Sequence, residues 1–306
     1  MGSYEQVVHA TTYFSDVEFI EWASKYELIP DIHQIRICNR CAKLMFIHFH
    51  ANLPDGAVWR CSDYSYSNTL SIRIDSWTKD SKLPLKTLAR LVGCWCAGRT
   101  VQTASVDCSI SKFTVTKYYQ EFRQVAEALY RKDISSNPLG NTGGIIQINE
   151  SHFFKAKYNK GKALHYDQTW FFGAIDDATN RIAIEKCESR KEEDLIQIIV
   201  SVCRPNSTIW SDSWKSYNNL NSYGYIHMNV NHKENFKDPI TFVHTNKIEG
   251  NWNALKMFLR KNNVKSREWV ESYVHEWCFR RNIGNAFEKC WNCLLYTSDA
   301  ADDLTR

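Results

Sequence analysis

The sequence contains no run of apolar residues long enough to cross a lipid bilayer. The segment from Met1 to Ala10 also lacks the basic-then-apolar pattern of a secretory signal peptide. These absences argue against a membrane-embedded or secreted protein. We expect a soluble chain that works in the nucleus if its source is eukaryotic, and in the cytoplasm otherwise.

The sequence also lacks a strong charge bias: it has 38 basic and 34 acidic residues, which gives a net charge of +4. This balance favours a nucleic-acid partner only weakly. The 11 cysteines are scattered through an ordinary globular composition, which favours reduced thiols over a disulfide framework. With 306 residues, 43% of them hydrophobic, the chain has room for two or three modest domains.

The most informative stretch runs from Ser207 to Lys256. Its first residues predict a buried strand that ends on Asp212, and helical spacing begins near Thr245, with Glu249 in the first turn. A strand-borne Asp followed by a helix-borne Glu is typical of ribonuclease-H-like sites, where carboxylates bind two divalent ions. Two simpler interpretations stay open: Asp212 as a helix N-cap, and Asn246 with Glu249 as a capping box.

Several segments resemble a known family. They read SDSWKSY, VNHKENF and HTNKIEGNWNALK, with IQINESHFF and WFFGAIDDATNRIAI upstream and VHEWCFRRN downstream. They are similar to the catalytic domain of the ISXO-like insertion-sequence transposases and of their eukaryotic relatives, the Merlin DNA transposons. The resemblance covers roughly Cys38 to Asn285 and implies a DDE transposase, a metal-dependent enzyme that nicks and joins DNA ends.

The resemblance also implies site residues. Asp212 matches the second catalytic Asp and Glu249 the catalytic Glu, while the first Asp position holds Asn149. An intact site of this kind would hold two Mg²⁺ or Mn²⁺ ions. The expected partners are duplex DNA, both terminal inverted repeats and target, and further copies of the chain acting on paired ends.

Basic residues near the predicted site are candidates for DNA contacts. His232 lies in the VNHKENF segment, and Lys256 and Arg260 lie on the helix that carries Glu249. Lys and Arg supply sequence-independent affinity for phosphates. For Lys256 or Arg260 taken singly, a solvated helix face is the simpler interpretation.

Residues 1–36 predict a helical segment, and residues 37–78 a degraded zinc ribbon. Cys38, Cys41 and Cys61 have the spacing of three zinc ligands. The family's fourth cysteine follows shortly after the third, where this sequence has Tyr64 or Tyr66. We expect either poor zinc binding or a substitute ligand from His48 or His50.

Residues 83–132 show helical periodicity, broken at Ser109 to Ser111. A short helix, a turn and a longer helix that opens with Lys112 and Lys117 are compatible with helix-turn-helix DNA recognition. The pattern alone also fits an ordinary three-helix packing unit. The family resemblance favours DNA binding.

The segment from Asn137 to Gly144 predicts a linker. The residues that follow predict three strands, a helix, a fourth strand and further helices, which is an α/β order. We expect a ribonuclease-H-like transposase domain over 143–290. The acidic stretch 294–306 looks extraneous to it.

Two functions of different classes follow. The first is a Merlin-like DDE transposase in which Asn149 impairs catalysis. The second is a non-catalytic DNA-binding protein derived from such an enzyme, which Asn149 and the missing cysteine favour. The specific sequence motifs around Asp212 and Glu249 argue against a nuclease or integrase of another family.

Overall fold

A computed structural model describes residues 3–63, 65, 67–153, 169–231, 237–283 and 287–296. The chain divides into two compact units, one formed by Met1–Val125 with Ala286–Arg306 and the other by Ala126–Asn285. Within the described ranges, none of the helices combines the length and the apolar character that crossing a membrane requires.

The first unit begins with two helices, α1 (Tyr4–Tyr13) and α2 (Asp16–Lys25). Helix α2 starts at a capping box, in which the hydroxyl of Ser15 accepts the N–H of Glu18 and the Glu18 carboxylate accepts the N–H of Ser15. A four-stranded antiparallel sheet follows, in the order β1-β2-β3-β4. Its strands are β1 (Arg36–Ile37), β2 (Leu44–Phe49), β3 (Ala57–Cys61) and β4 (Thr69–Ser71).

Three helices come next: α3 (Leu85–Cys96), α4 (Val101–Asp107) and α5 (Lys112–Ser136). The apolar residues predicted for the first of them, Leu85, Leu88, Leu91 and Val92, are all buried. The buried guanidinium of Arg73 pairs with Asp55 and donates to the carbonyls of Ser81 and Leu83, which fixes the chain entering α3. Helix α9 (Phe287–Tyr296) closes the unit. The helix includes the buried Leu294, so the first residues of the stretch that we expected to be extraneous are helical. Residues 297–306 lie outside the described residues.

The second unit is built on a five-stranded sheet in the order β7-β6-β5-β8-β9. Its strands are β5 (Ile145–Phe153), β6 (Thr169–Asp176), β7 (Ile182–Cys187), β8 (Thr208–Asp212) and β9 (Ile226–Val230). Strands β5 to β7 are antiparallel neighbours, whereas β8 runs parallel to β5 and β9 parallel to β8. The predicted α/β class is therefore confirmed. Strand β9 corrects the prediction, which treated its residues as part of a connection.

Helices α6 (Glu192–Val202), α7 (Asn246–Lys261) and α8 (Arg267–Asn282) pack on this sheet. The closest approach is at Gly173 of β6. A Cβ atom there would lie 2.6 Å from the Trp252 ring and 3.0 Å from the side chain of Ile248. Only glycine leaves room for α7 to lie this close to the sheet.

A buried charged cluster joins α8 to the carboxyl half of α5 and to β7. Fully buried His275 has Nδ1 3.2 Å from a Glu127 carboxylate oxygen and Nε2 3.6 Å from one of Glu185. The hydroxyl of Tyr130 donates to Glu185 at 2.8 Å, and Arg131 lies beside both carboxylates. Burial lowers the pKa of His275, but the two carboxylates raise it more, to about 9.

Candidate active site

The first candidate residue, Asn149, lies in the middle strand of the second sheet. It pairs across the antiparallel ladder with Gly173, and paired residues point their side chains to the same face. Because Ile248 and Trp252 of α7 cover Gly173, Asn149 belongs to the α7 face of the sheet. It is half-buried there.

Asp212 is the last residue of β8, which neighbours β5. Gln147 is paired with Trp210 in this parallel ladder. Two residues further along each strand are Asn149 and Asp212, so the same alternation places Asp212 on the α7 face beside Asn149. One Asp212 carboxylate oxygen accepts the N–H of Trp214 at 3.1 Å, which shapes the turn leaving the strand.

Glu249 lies in the first turn of α7, on the helix that covers this face. Its carboxylate accepts the hydroxyl of Thr245 at 2.7 Å. Thr245 is the N-cap residue and Asn246 is already helical, so the proposed capping box of Asn246 with Glu249 is wrong. The fold thus brings the three predicted catalytic positions to one side of the sheet.

A polar network that the sequence did not reveal lies next to these residues. Gln147 is fully buried, two residues before Asn149 and on its face. Its side-chain oxygen accepts the backbone N–H of Lys247 at 3.0 Å, and its amide donates to Asp177 at 3.0 Å. The ammonium of Lys247 is itself 3.0 Å from Asp177. Gln147 therefore ties the start of α7, and with it Glu249, to the sheet and to the turn between β6 and β7.

Glu150 lies on the other face from Asn149, as neighbours along a strand do. Its side chain is 2% exposed and its carboxylate is 2.7 Å from the Arg190 guanidinium. Burial raises the pKa of Glu150 to about 6, with Arg190 opposing the shift and Asp212 adding to it. Glu150 is engaged with Arg190 and does not stand in for Asn149.

Arg190 also holds the segment after Asp212. Its guanidinium lies 3.9 Å from the centre of the Trp214 ring, and its carbonyl accepts the Ser216 hydroxyl at 2.8 Å. A stacked and hydrogen-bonded arginine of this kind keeps its neighbours in one arrangement. Sequence reasoning missed Arg190, because its partners are distant along the chain.

Comparisons with known proteins identify relatives of the second unit. Residues 142–282 match the model of the ISXO2-like transposase domain. A transposase-like protein of Haemophilus influenzae is 31% identical over 88 residues, which cover 29% of this chain and 70% of that protein. The chain belongs to the ISXO2-like transposase family.

Solved viral structures share a weaker similarity. The magnesium-bound catalytic core of HTLV-2 integrase is 14% identical with a TM-score of 0.30, covering 46% of this chain and 86% of that one. A chain from the structure of the simian T-cell lymphotropic virus intasome in complex with PP2A regulatory subunit B56 gamma is 16% identical with a TM-score of 0.31. That match covers 45% of this chain and 48% of the other. The family assignment rests on the sequence matches and not on these structures.

The three cysteines predicted to bind metal lie close together. The sulfur atoms of Cys38, Cys41 and Cys61 all lie within 4.8 Å of one another. The side-chain amide of Asn68 donates to Cys38 Sγ at 3.2 Å, which lowers the pKa of that thiol to about 6.

The substitute histidines do not join this group. In the β2–β3 ladder, Cys61 is opposite Met45 and His48 is opposite Val58, so His48 lies about 10 Å along the strand from the cysteines. His48 and His50 are both exposed. Tyr64 and Tyr66 lie outside the described residues.

The predicted DNA-contacting residues fall in different places. Lys112 and Lys117 are exposed on the first turns of α5, and Arg260 is exposed on α7. The Lys256 ammonium lies 5.6 Å from the centre of the Phe153 ring. His232 lies outside the described residues.

Proposed function

We propose that this chain is a Merlin-like DDE transposase with a ribonuclease-H-like core, in which Asn149 impairs metal-dependent DNA cleavage. The observation that carries the proposal is the shared face of Asn149, Asp212 and Glu249, within the region matched by the family model. The strand order, with the first two strands antiparallel and the fourth and fifth parallel to the first, also supports this core.

The donor atoms suit a divalent ion. Carboxylate and amide oxygens are ligands that Mg²⁺ and Mn²⁺ accept. Asp212 and Glu249 would hold the ions, and Asn149 would offer a neutral carbonyl where the family has a carboxylate. When bound, such ions activate water or a DNA 3′-hydroxyl and stabilise the leaving oxygen. The hydrogen bonds of Gln147 would fix the position of the α7 start and of Glu249. Arg190 would fix the turn that follows Asp212.

The proposed substrate is duplex DNA, both the terminal inverted repeats and the target, held by a multimer on paired ends. The helices from Leu85 to Ser136 would bind the duplex as a helix-turn-helix, with Lys112 and Lys117 on phosphates. Lys256 and Arg260 would contribute further phosphate contacts beside the catalytic face.

We also propose that the cysteine group binds zinc weakly. Three thiolates fall one short of the four ligands of a structural zinc site. Metal analysis of the purified chain tests this, because tightly held, stoichiometric zinc contradicts it.

A second function is a DNA-binding protein without catalysis. Asn149 favours it, since losing one anionic ligand weakens a site that must hold ions near substrate phosphates. If the lost charge removes about 4 kcal/mol of transition-state stabilisation, cleavage falls on the order of a thousandfold.

The deciding experiment compares Mn²⁺-dependent nicking of supercoiled plasmid DNA by wild type, Asn149→Asp and the double variant Asn149→Asp with Glu249→Gln. We expect nicking to appear in the single variant and to vanish in the double variant. A Mn²⁺ titration followed by thermal unfolding gives a second readout, in which Asn149→Asp alone gains metal-dependent stability. Robust wild-type nicking that Asp212→Asn abolishes would show that Asn149 is tolerated.

A further inference from the structure

The outward face of α5 carries one residue that phosphate binding does not explain. Phe113 is 83% exposed, in the first turn of the helix. The opposite face of this helix is buried, through Val115, Tyr119 and Phe122. Helical spacing therefore turns Phe113 away from the core, together with Lys117, Gln120 and Gln124.

Hydrogen bonds shape the turn that precedes this face. Helix α4 ends at Asp107 and α5 begins at Lys112. Between them Ser109 adopts a left-handed conformation with φ 54°, and the Ser105 hydroxyl donates to the carbonyl of Ile110 at 2.7 Å. The Ser111 hydroxyl accepts the N–H of Thr114 at 3.0 Å and caps the new helix. Val106, at the end of α4, is also 67% exposed.

We propose that Phe113 reads thymine methyl groups in the major groove of the DNA site. The inference rests on the proposed function of this unit as a helix-turn-helix. In that motif the amino-terminal residues of the second helix contact base edges. An aromatic side chain there meets the thymine methyl, which is the one apolar group that bases present in this groove.

Charge and polarity on the same face identify duplex DNA as the occupant. Lys112 and Lys117 flank Phe113 with positive charge, which suits phosphates. Gln120 lies further along the same face, and glutamine forms paired hydrogen bonds with adenine. A single exposed apolar residue is ordinary in itself. Its place among these groups, on the first turn of this helix, is what assigns it a role.

The test uses the full chain and a random duplex pool, from which the preferred site is selected. Each thymine of that site is then replaced by uracil, which differs only by lacking the methyl group. Wild type should lose about fourfold in affinity at one or two positions, the equivalent of ~0.8 kcal/mol for a buried methyl group. Phe113→Ala should bind thymine and uracil sites equally. The control Ile240→Ala removes an apolar side chain that is 84% exposed elsewhere, and should behave as wild type.

The outcomes separate this inference from the proposed function. Salt-dependent DNA binding with no uracil effect, or the same effect in Phe113→Ala, overturns the role of Phe113 alone. If the chain binds DNA in a salt-dependent manner but the random pool yields no preferred site, the role of Phe113 is likewise overturned. If the chain does not bind DNA even at low salt, both the DNA-binding function and the role of Phe113 are wrong.

Discussion

At the scale of single residues, the candidate site depends on the groups that hold the three proposed catalytic positions as much as on those positions themselves. Gln147 and Asn149 share a face of one strand, and both are amides. Gln147 satisfies a backbone N–H at the start of α7, a helix end whose first N–H groups have no partner within the helix. Glu249 lies two residues after Lys247, so the position of its carboxylate depends on that contact.

Replacing Gln147 with Ala should therefore destabilise the chain and displace Glu249. Leaving the Lys247 N–H and the Asp177 carboxylate without their buried partner costs about 1–3 kcal/mol. Urea unfolding of Gln147→Ala and of Gln197→Ala measures this, because Gln197 is an exposed glutamine on α6 of the same unit. Equal stability of the two variants would show that the hydrogen bonds of Gln147 contribute less than this to the free energy of unfolding.

At the scale of elements, the close approach of α7 to the sheet leads to a second prediction. Gly173→Ala places a methyl group 2.6 Å from the Trp252 ring, so the helix must shift or the ring must move. Overpacking of this kind costs about 1–3 kcal/mol. Because α7 carries Glu249, activity restored by Asn149→Asp should fall as well.

Gly250 supplies the control within the same helix. Nothing lies within 4 Å of a Cβ built there, so Gly250→Ala should stabilise the chain by about 1 kcal/mol through helix propensity. Thermal or urea unfolding of both variants gives the comparison. A Gly173→Ala chain as stable as wild type would mean that α7 is not held against the sheet at this point.

The buried His275 predicts a pH dependence. Its pKa rises from about 6.5 in the unfolded chain to about 9 in the folded one, so its stabilisation is complete below pH 6.5 and is lost as the pH rises through 9. A shift of this size corresponds to about 3 kcal/mol. The difference in unfolding free energy between wild type and His275→Gln should shrink by roughly that amount between pH 6 and pH 9.5. A difference independent of pH would show that Glu127 and Glu185 do not hold the imidazolium.

Helices and strands with a clear hydrophobic periodicity could be predicted from the sequence. Contacts between segments that are distant along the chain could not. The strands that begin at Ile145, Thr169 and Ile182 alternate between apolar and polar residues or are continuously apolar, and the structure contains the three strands predicted after the linker. Strand β9 was missed because its sequence, IHMNV, is half polar and most of it is not buried. Asp212 and Glu249 could be proposed from the sequence motifs shared with the family, whereas Gln147 and Arg190 bind partners far along the chain and show no such motif.

At the scale of the whole molecule, the proposal assigns DNA binding by the helix-turn-helix to the first unit and catalysis to the second. Lys112 and Lys117 belong to the first unit, and Asn149, Asp212 and Glu249 to the second. If this division holds, substitutions in one unit should leave the other property intact. Cys38, Cys41 and Cys61 also lie in the first unit, so replacing them should leave the proposed catalytic face of the second unit unchanged.

The double variant Lys112→Ala with Lys117→Ala should therefore bind DNA more weakly and with less dependence on salt. Each phosphate contact that is lost reduces the slope of log K against log salt by about 0.9, so two contacts reduce it by about 2. Asn149→Asp should keep the wild-type slope, because it changes no phosphate contact in the first unit. The exposed lysines Lys25 and Lys79 of the same unit serve as a matched control pair, and their double Ala variant should change the slope less. A salt series by fluorescence anisotropy on one duplex measures all four proteins. An unchanged slope in the Lys112 and Lys117 variant would place DNA binding elsewhere on the chain, even if the catalytic face is assigned correctly.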